Sequence, residues 1–284
     1  MRACSEVPAF TSYGAANRRS SAWAIGGMVL LLAVCGWIVE GADGAKRAIF
    51  VGTPRTDGPA FSSAEMYRWF GARKLGHDEI PRLFDILADV CRRARLPRLP
   101  ELYYIAAPGD MNAYALGGPN CAAIVITEGL LRGMTPDEIA GILAHEVAHI
   151  RNNDAWTMSW VAALHRAIEW ASRSALALLR ARDGGAATTP LAALMSAAPA
   201  IARLLGLALC RSRELDADAT ALELTEDLQA LIAALDKLER HHTGPAALAG
   251  AAAVDGSLRL LRSHPTTSER VDTLLSLAHF RIAN

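Results

Sequence analysis

His145, Glu146 and His149 stand in the order H-E-x-x-H within the stretch from Pro136 to Asp154. On a helix, positions four apart lie one turn above each other on one face, so the two imidazoles can hold a single metal ion from one side. Glu146 then stands beside that ion. Two neutral imidazoles and one further protein ligand leave zinc a position open to water, and a neighbouring carboxylate is placed to take that water's proton. The chemistry this spacing predicts is zinc-assisted peptide hydrolysis, with Glu146 as base and one Zn2+ per chain. A motif with three fixed residues in five also arises by chance, so the elements around it decide whether it is used.

Those elements favour it. Thr135, Pro136 and Glu138 read as N-cap, first helical residue and capping-box partner of a helix that begins well before His145. Ile139, Ile142, Leu143, Val147 and Ile150 give that helix a buried stripe, and Asn152 and Asn153 mark its end. A third ligand must come from an element packed against this helix. Arg213 to Thr220, RELDADAT, offers one: Glu214 and Asp218 are four apart on one helical face. The first can bind the metal while the second hydrogen-bonds the far nitrogen of a ligand histidine and fixes its tautomer. Leu102–Ala106 and Ala122–Thr127 read as two short strands. Between them, Met111 to Gly118 has two open readings. It is a plain hairpin arm, or an exposed edge strand beside the metal cleft, with Asn112, Ala113 and Tyr114 available to pair with an extended peptide.

Composition narrows the class. The 284 residues carry 29 basic and 29 acidic side chains, a balance with no electrostatic footprint for nucleic acid. Hydrophobic residues make up 52 %, many of them Ala and Leu, which points to a helical, membrane-associated chain. The five cysteines are scattered and form neither a disulfide framework nor a zinc cluster.

Along the chain, residues 1–20 are expected to carry no fold of their own. Residues 21–40 form an anchor, built on the uncharged run Ala22–Val39 with Trp23 and Trp37 near its ends; a cleaved signal peptide is the rival reading. Residues 41–60 are expected to be a linker, and 61–284 the catalytic domain. Inside that domain, helices are predicted at Glu79–Arg95, Ala155–Arg182, Asp227–His242 and Ala246–Arg262. Capping pairs at Ser62 with Glu65 and Thr266 with Glu269 each open another. Residues 155–210 read as a hydrophobic helical hairpin that lies in or on the membrane, against the alternative of a buried pair in a soluble domain.

Five segments together carry a resemblance to a known family: NAYALGG at 112–118, IVITEGLL at 124–131, HEVAHIRNND at 145–154, SRELDADA at 212–219 and SHPTTSERV at 263–271. Over roughly residues 60–280 the chain resembles the HtpX and CAAX prenyl protease type of membrane-associated zinc endopeptidase. That resemblance implies a mainly α fold with a small β-sheet, an α+β zincin-like catalytic domain behind an N-terminal transmembrane helix. It implies zinc on His145, His149 and Glu214, Glu146 as base, and cleavage of membrane or misfolded proteins. The partners implied are polypeptide substrates and membrane lipid, at the bacterial inner membrane. It also singles out His264, Pro265 and Arg270. His264 and Arg270 have two open readings: donors to the developing oxyanion, or, for Arg270, a partner of a carboxylate such as Asp218 or Glu269. The competing function is a catalytically silent scaffold with a structural zinc, against which Glu146 argues, because a structural site has no use for a neighbouring base.

Overall fold

The protein is described by a computed structural model covering residues 8–52, 71–182, 190–243 and 264–283. In chain order the elements are helix α1 (Pro8–Gly52), strand β1 (Arg73–Lys74), helix α2 (Pro81–Arg93), and strands β2 (Glu101–Ile105), β3 (Ala113–Gly118) and β4 (Cys121–Thr127). Helices α3 (Glu128–Gly133), α4 (Pro136–Arg151), α5 (Asp154–Arg182), α6 (Pro190–Thr225), α7 (Leu228–Thr243) and α8 (Thr267–Ala283) follow. The expected mainly α chain with a small sheet is what forms.

Helix α4 is the centre. Its capping box is complete: the Thr135 hydroxyl accepts from the Glu138 N–H at 3.3 Å and the Glu138 carboxylate accepts from the Thr135 N–H at 2.7 Å. Burial runs round almost its whole circumference, from Ile139 to Ile150, wider than a single stripe, because α2, α6, α7 and β3 all pack on it. The sheet has the order β1-β2-β4-β3, with β2 and β4 parallel and the other pairs antiparallel. Strand β3 is therefore both an arm of the β3–β4 hairpin and a sheet edge, so the two readings of this segment coincide. Gly117, at φ 83°, makes the hairpin possible, since a Cβ there would meet the Cys121 carbonyl oxygen at 2.1 Å.

Two apolar cores result. The first lies between sheet and helices and includes Leu87, Leu102, Ile124, Leu143, Val147, Leu231 and Leu274. The second lies among α1, α5 and α6 and includes Met28, Leu32, Leu164, Ile168, Met195 and Ala202. Outside this second unit Trp23, Leu30, Trp37, Phe50, Trp170, Ile201 and Leu204 are exposed, and large apolar side chains gathered on one surface mark a membrane or partner face. Ser21–Phe50 of α1 and helix α6 are each long and apolar enough to cross a membrane.

Three expectations change. Residues 8–20 are helical and continuous with the apolar run, and residues 42–52, expected as linker, are helical too. The chain breaks helical geometry only at Glu40 and Gly41, where Gly41 takes φ 64°. The second half then runs back along the first, so tightly that a Cβ on Gly44 would stand 2.2 Å from the Gly36 carbonyl oxygen. The apolar run 190–210 and the RELDADAT segment, expected as separate pieces, are one helix that passes through Pro199. The capped segment at Ser62, the turn at 183–189 and the helix at Ala246–Arg262 fall outside the described residues.

Candidate metal centre

Positions 145 and 149 of α4 bring two imidazoles together with Nε2 atoms 3.1 Å apart. Helix α6 crosses α4 and delivers Glu214, whose carboxylate oxygens lie 3.6 Å from His145 Nε2 and 3.8 Å from His149 Nε2. Among the described residues these three side chains form a group of His, Cys, Asp or Glu able to hold a metal ion. The donor set suits zinc: ligands at ~2.0 to 2.1 Å in a tetrahedron are roughly 3.3 Å from one another. Nitrogen, nitrogen and carboxylate oxygen are also the ligand types of catalytic zinc sites, which keep one position open.

Each imidazole is held from behind. His145 Nδ1 is 2.9 Å from Asp218 Oδ1, and His149 Nδ1 is 2.8 Å from Asp154 Oδ2. A carboxylate can only accept, so in the metal-competent state each Nδ1 carries the proton and each Nε2 presents its lone pair. Asp218 lies against the far nitrogen of His145, where the sequence offered it. Asp154 was missed, because a residue five beyond His149 shares no helical face with it. The chain turns out of α4 through Asn153, at φ 56°, before α5 starts at Asp154.

Arg270, near the start of α8, places both Nε and Nη2 2.6 Å from Asp218, on the Nδ1 side of His145. Of the two readings open in the sequence, these are the contacts of a carboxylate partner. Helix α8 is set by the expected cap, Thr266 with Glu269, at 2.9 and 3.2 Å. His264 stands on the open side, its side chain 68 % exposed and its Nδ1 3.4 Å from Glu214 Oε1.

Charge follows geometry. Burial alone would raise the Glu214 carboxyl, but hydrogen bonds with His145 and His264 drive it far below the ordinary carboxylate range. Burial pushes Glu146 up, with both imidazoles opposing and Glu214 adding to the rise, which makes it a better proton acceptor than an exposed glutamate. The Ala115 backbone of β3 also works to lower the Glu146 carboxyl. Residues alternate in an antiparallel pair, so Ala113 and Ala115 turn their backbone groups away from β4, toward the cleft. Tyr114, 41 % exposed, holds the Asn112 side chain at 2.6 Å on the same edge. Strand β3, Glu146 and the three possible metal donors thus lie at one place.

Comparisons with known proteins agree with this geometry. A model of peptidase family M48 matches residues 78–278. The chain is 33 % identical over 267 residues to "Protease HtpX homolog" of Salinibacter ruber, covering 88 % of this chain and 94 % of the relative. It is 33 % identical over 290 residues to the protein of the same name in Streptococcus gordonii, covering 92 % and 97 %, and 31 % identical over 270 residues to that of Aquifex aeolicus, covering 87 % and 89 %. The residues matched by the family model include strands β2, β3 and β4, the H-E-x-x-H helix, the helix of Glu214 and most of α8, and on that ground the chain belongs to peptidase family M48, as a metalloendopeptidase.

Proposed function

We propose that the protein is a zinc endopeptidase of the bacterial inner membrane that hydrolyses peptide bonds of membrane or misfolded proteins. The observation that carries the reading is the convergence of His145, His149 and Glu214 within 4.8 Å, with Glu146 next to them and the Ala115 backbone of β3 beside it. Support for the membrane comes from the exposed apolar surface of α1, α5 and α6 and from the two long apolar helices. The relatives named above are bacterial proteins.

In this reading His145, His149 and Glu214 are the zinc ligands. Zinc, when bound, supplies Lewis acidity to the attacking water and to the scissile carbonyl. The chain's residues do the rest. The outward edge of β3 at Ala113 and Ala115 pairs with an extended substrate segment, the Ala113 N–H giving up its 3.0 Å bond to Asn112 Oδ1, and such pairing holds a main chain without demanding a sequence. Glu146 takes the proton of the attacking water, helped by the raised basicity that burial gives it, and then passes the proton to the leaving amine. His264 reaches over the open side and donates to the oxygen on which negative charge develops. Asp218 keeps His145 in the tautomer whose Nε2 is free.

The test is purification in detergent without chelator, with zinc content and casein cleavage measured beside the Glu146→Gln variant. The reading requires about one zinc per chain in both proteins and cleavage by the wild type alone. A wild type free of zinc, or equal cleavage by the two, would overturn it.

A further inference from the structure

Each imidazole of the cluster is backed by a carboxylate, and each carboxylate by an arginine, from different elements. Behind His145 stand Asp218 and Arg270 of α8. Behind His149 stand Asp154, at the first turn of α5, and Arg213 of α6, whose Nε is 3.0 Å from Asp154 Oδ1 in an ion pair too oblique for a hydrogen bond. We infer that Asp154 and Arg213 are positioning residues for the metal: Asp154 fixes the tautomer and rotation of His149, and Arg213 fixes Asp154.

Both groups are buried, Asp154 to 5 % exposure and Arg213 to 8 %. Two ionised side chains at that depth are held by each other and by their neighbours, since water cannot solvate them. The pair has a further brace. Arg213 also bonds the Asp216 carboxylate, and Asn152 at the end of α4 reaches Asp216 with Nδ2 3.5 Å from Oδ2. The network therefore closes a loop from the end of α4, through α6, to the start of α5 and back to His149. Without Asp154 the ring of His149 can rotate, and its proton can shift to Nε2, where it would block the metal.

Arg213 immediately precedes Glu214 on α6. One helix thus presents the third donor and steadies the second, and the spacing of α4 from α6 sets both at once. A simple helix-start role for Asp154 explains neither the oxygen 3.0 Å from Arg213 Nε nor the other, 2.8 Å from the imidazole.

The inference rests on the zinc reading above, and the experiment separates the two. Full-length protein in detergent is titrated with zinc against a competing chelator, as wild type and as Asp154→Asn, Asp154→Ala, Arg213→Lys and Arg213→Gln. Thermal unfolding of each metal-free form is recorded alongside, with the Nδ1–H proton of His149 followed by NMR. Expected is a zinc affinity ~10 to 100-fold weaker for Asp154→Ala. Asp154→Asn, whose amide oxygen still accepts from Nδ1–H, should lose less, and Arg213→Lys should retain more than Arg213→Gln. The His149 Nδ1–H signal should survive in Asp154→Asn and vanish in Asp154→Ala. If Asp154→Ala does not fold, Asp154→Asn decides alone: weaker zinc binding at near wild-type unfolding temperature supports the inference, and wild-type affinity overturns it. Losses of affinity that merely follow losses of unfolding temperature, with the Nδ1–H signal intact, would also overturn it. A wild type that binds no zinc would instead refute the metal site itself.

Discussion

Replacing Arg270 by Ala separates a residue that holds the site together from one that acts on the reaction. The Asp218 side chain is fully buried, at 0 % exposure, and Arg270 meets it with two nitrogens at 2.6 Å while itself only 15 % exposed. Burial works to raise the Asp218 carboxyl, yet the Arg270 hydrogen bonds hold it below the ordinary range. Arg270→Ala leaves that charge deep in the protein with only His145 against it. Breaking a buried pair from one side costs ~3 to 5 kcal/mol. At roughly 2 to 4 °C per kcal/mol for a domain of this size, the unfolding temperature should drop by about 6 to 20 °C. Zinc affinity should fall with it, because Asp218 is then free to leave His145. The double variant Asp218→Asn with Arg270→Ala strands no charge and should unfold above Arg270→Ala alone. The measurements are unfolding temperature with and without zinc, zinc content, and kcat and KM for a fluorogenic peptide. Unchanged stability and zinc content together with a kcat reduced ~10² to 10³-fold would refute the argument and move Arg270 to the oxyanion.

Glu146→Gln should keep its zinc and fold while losing ~10² to 10⁴ in rate, checked by metal analysis beside peptide hydrolysis. Glu214→Ala should bind zinc far more weakly than wild type, and full occupancy in that variant would sink its assignment as a ligand. In metal-free protein, burial opposes protonation of His145, but Asp218 and Glu214 outweigh it and hold its pKa up at about 10 against an ordinary 6.5. A raised pKa contributes stability that is complete below pH 6.5 and lost as pH rises toward 10, so the chelated protein should unfold at progressively lower temperature across that window. An unfolding temperature that stays flat from pH 6.5 to 10 would contradict this. Protein lacking residues 1–40 should still sediment with membranes, since the exposed faces of α5 and α6 remain; clean recovery in the soluble fraction without detergent would show those faces to be core.

What could be read from the residues was whatever local spacing encodes. The Thr135–Glu138 cap, the pair His145 and His149, the pair Glu214 and Asp218, and the Thr266–Glu269 cap all depend on intervals of three or four residues, and all four are found as expected. The reading of Ala122–Thr127 as a short strand likewise needs only neighbours in sequence. The features that escaped depend on how the chain turns or where separate elements meet. Asp154 reaches His149 only because Asn153 adopts a left-handed conformation that sequence does not announce. The reversal after Glu40 depends on Gly41 and on the fit of Gly36 against Gly44, whereas a stretch rich in Gly, Pro and Asp reads as linker. Proline at 199 signals a break, but the helix survives it inside an apolar unit where the backbone has no competing partner. Arg270 could not be assigned because its partner lies 52 positions away.

On the membrane reading proposed above, the unbroken course of α6 would make the enzyme a depth gauge. The apolar stretch ends near Leu209 and Glu214 follows five residues later on the same rigid rod, a rise of ~8 Å at 1.5 Å per residue. With that stretch seated in a bilayer, the cutting point stands at a fixed height, within about one nanometre of the hydrocarbon boundary. A peptide bond is then selected by how near the surface it can be brought in extended form, more than by the side chains that flank it. Loops that are long or unfolded next to the membrane come within reach, and tightly folded loops of the same sequence do not.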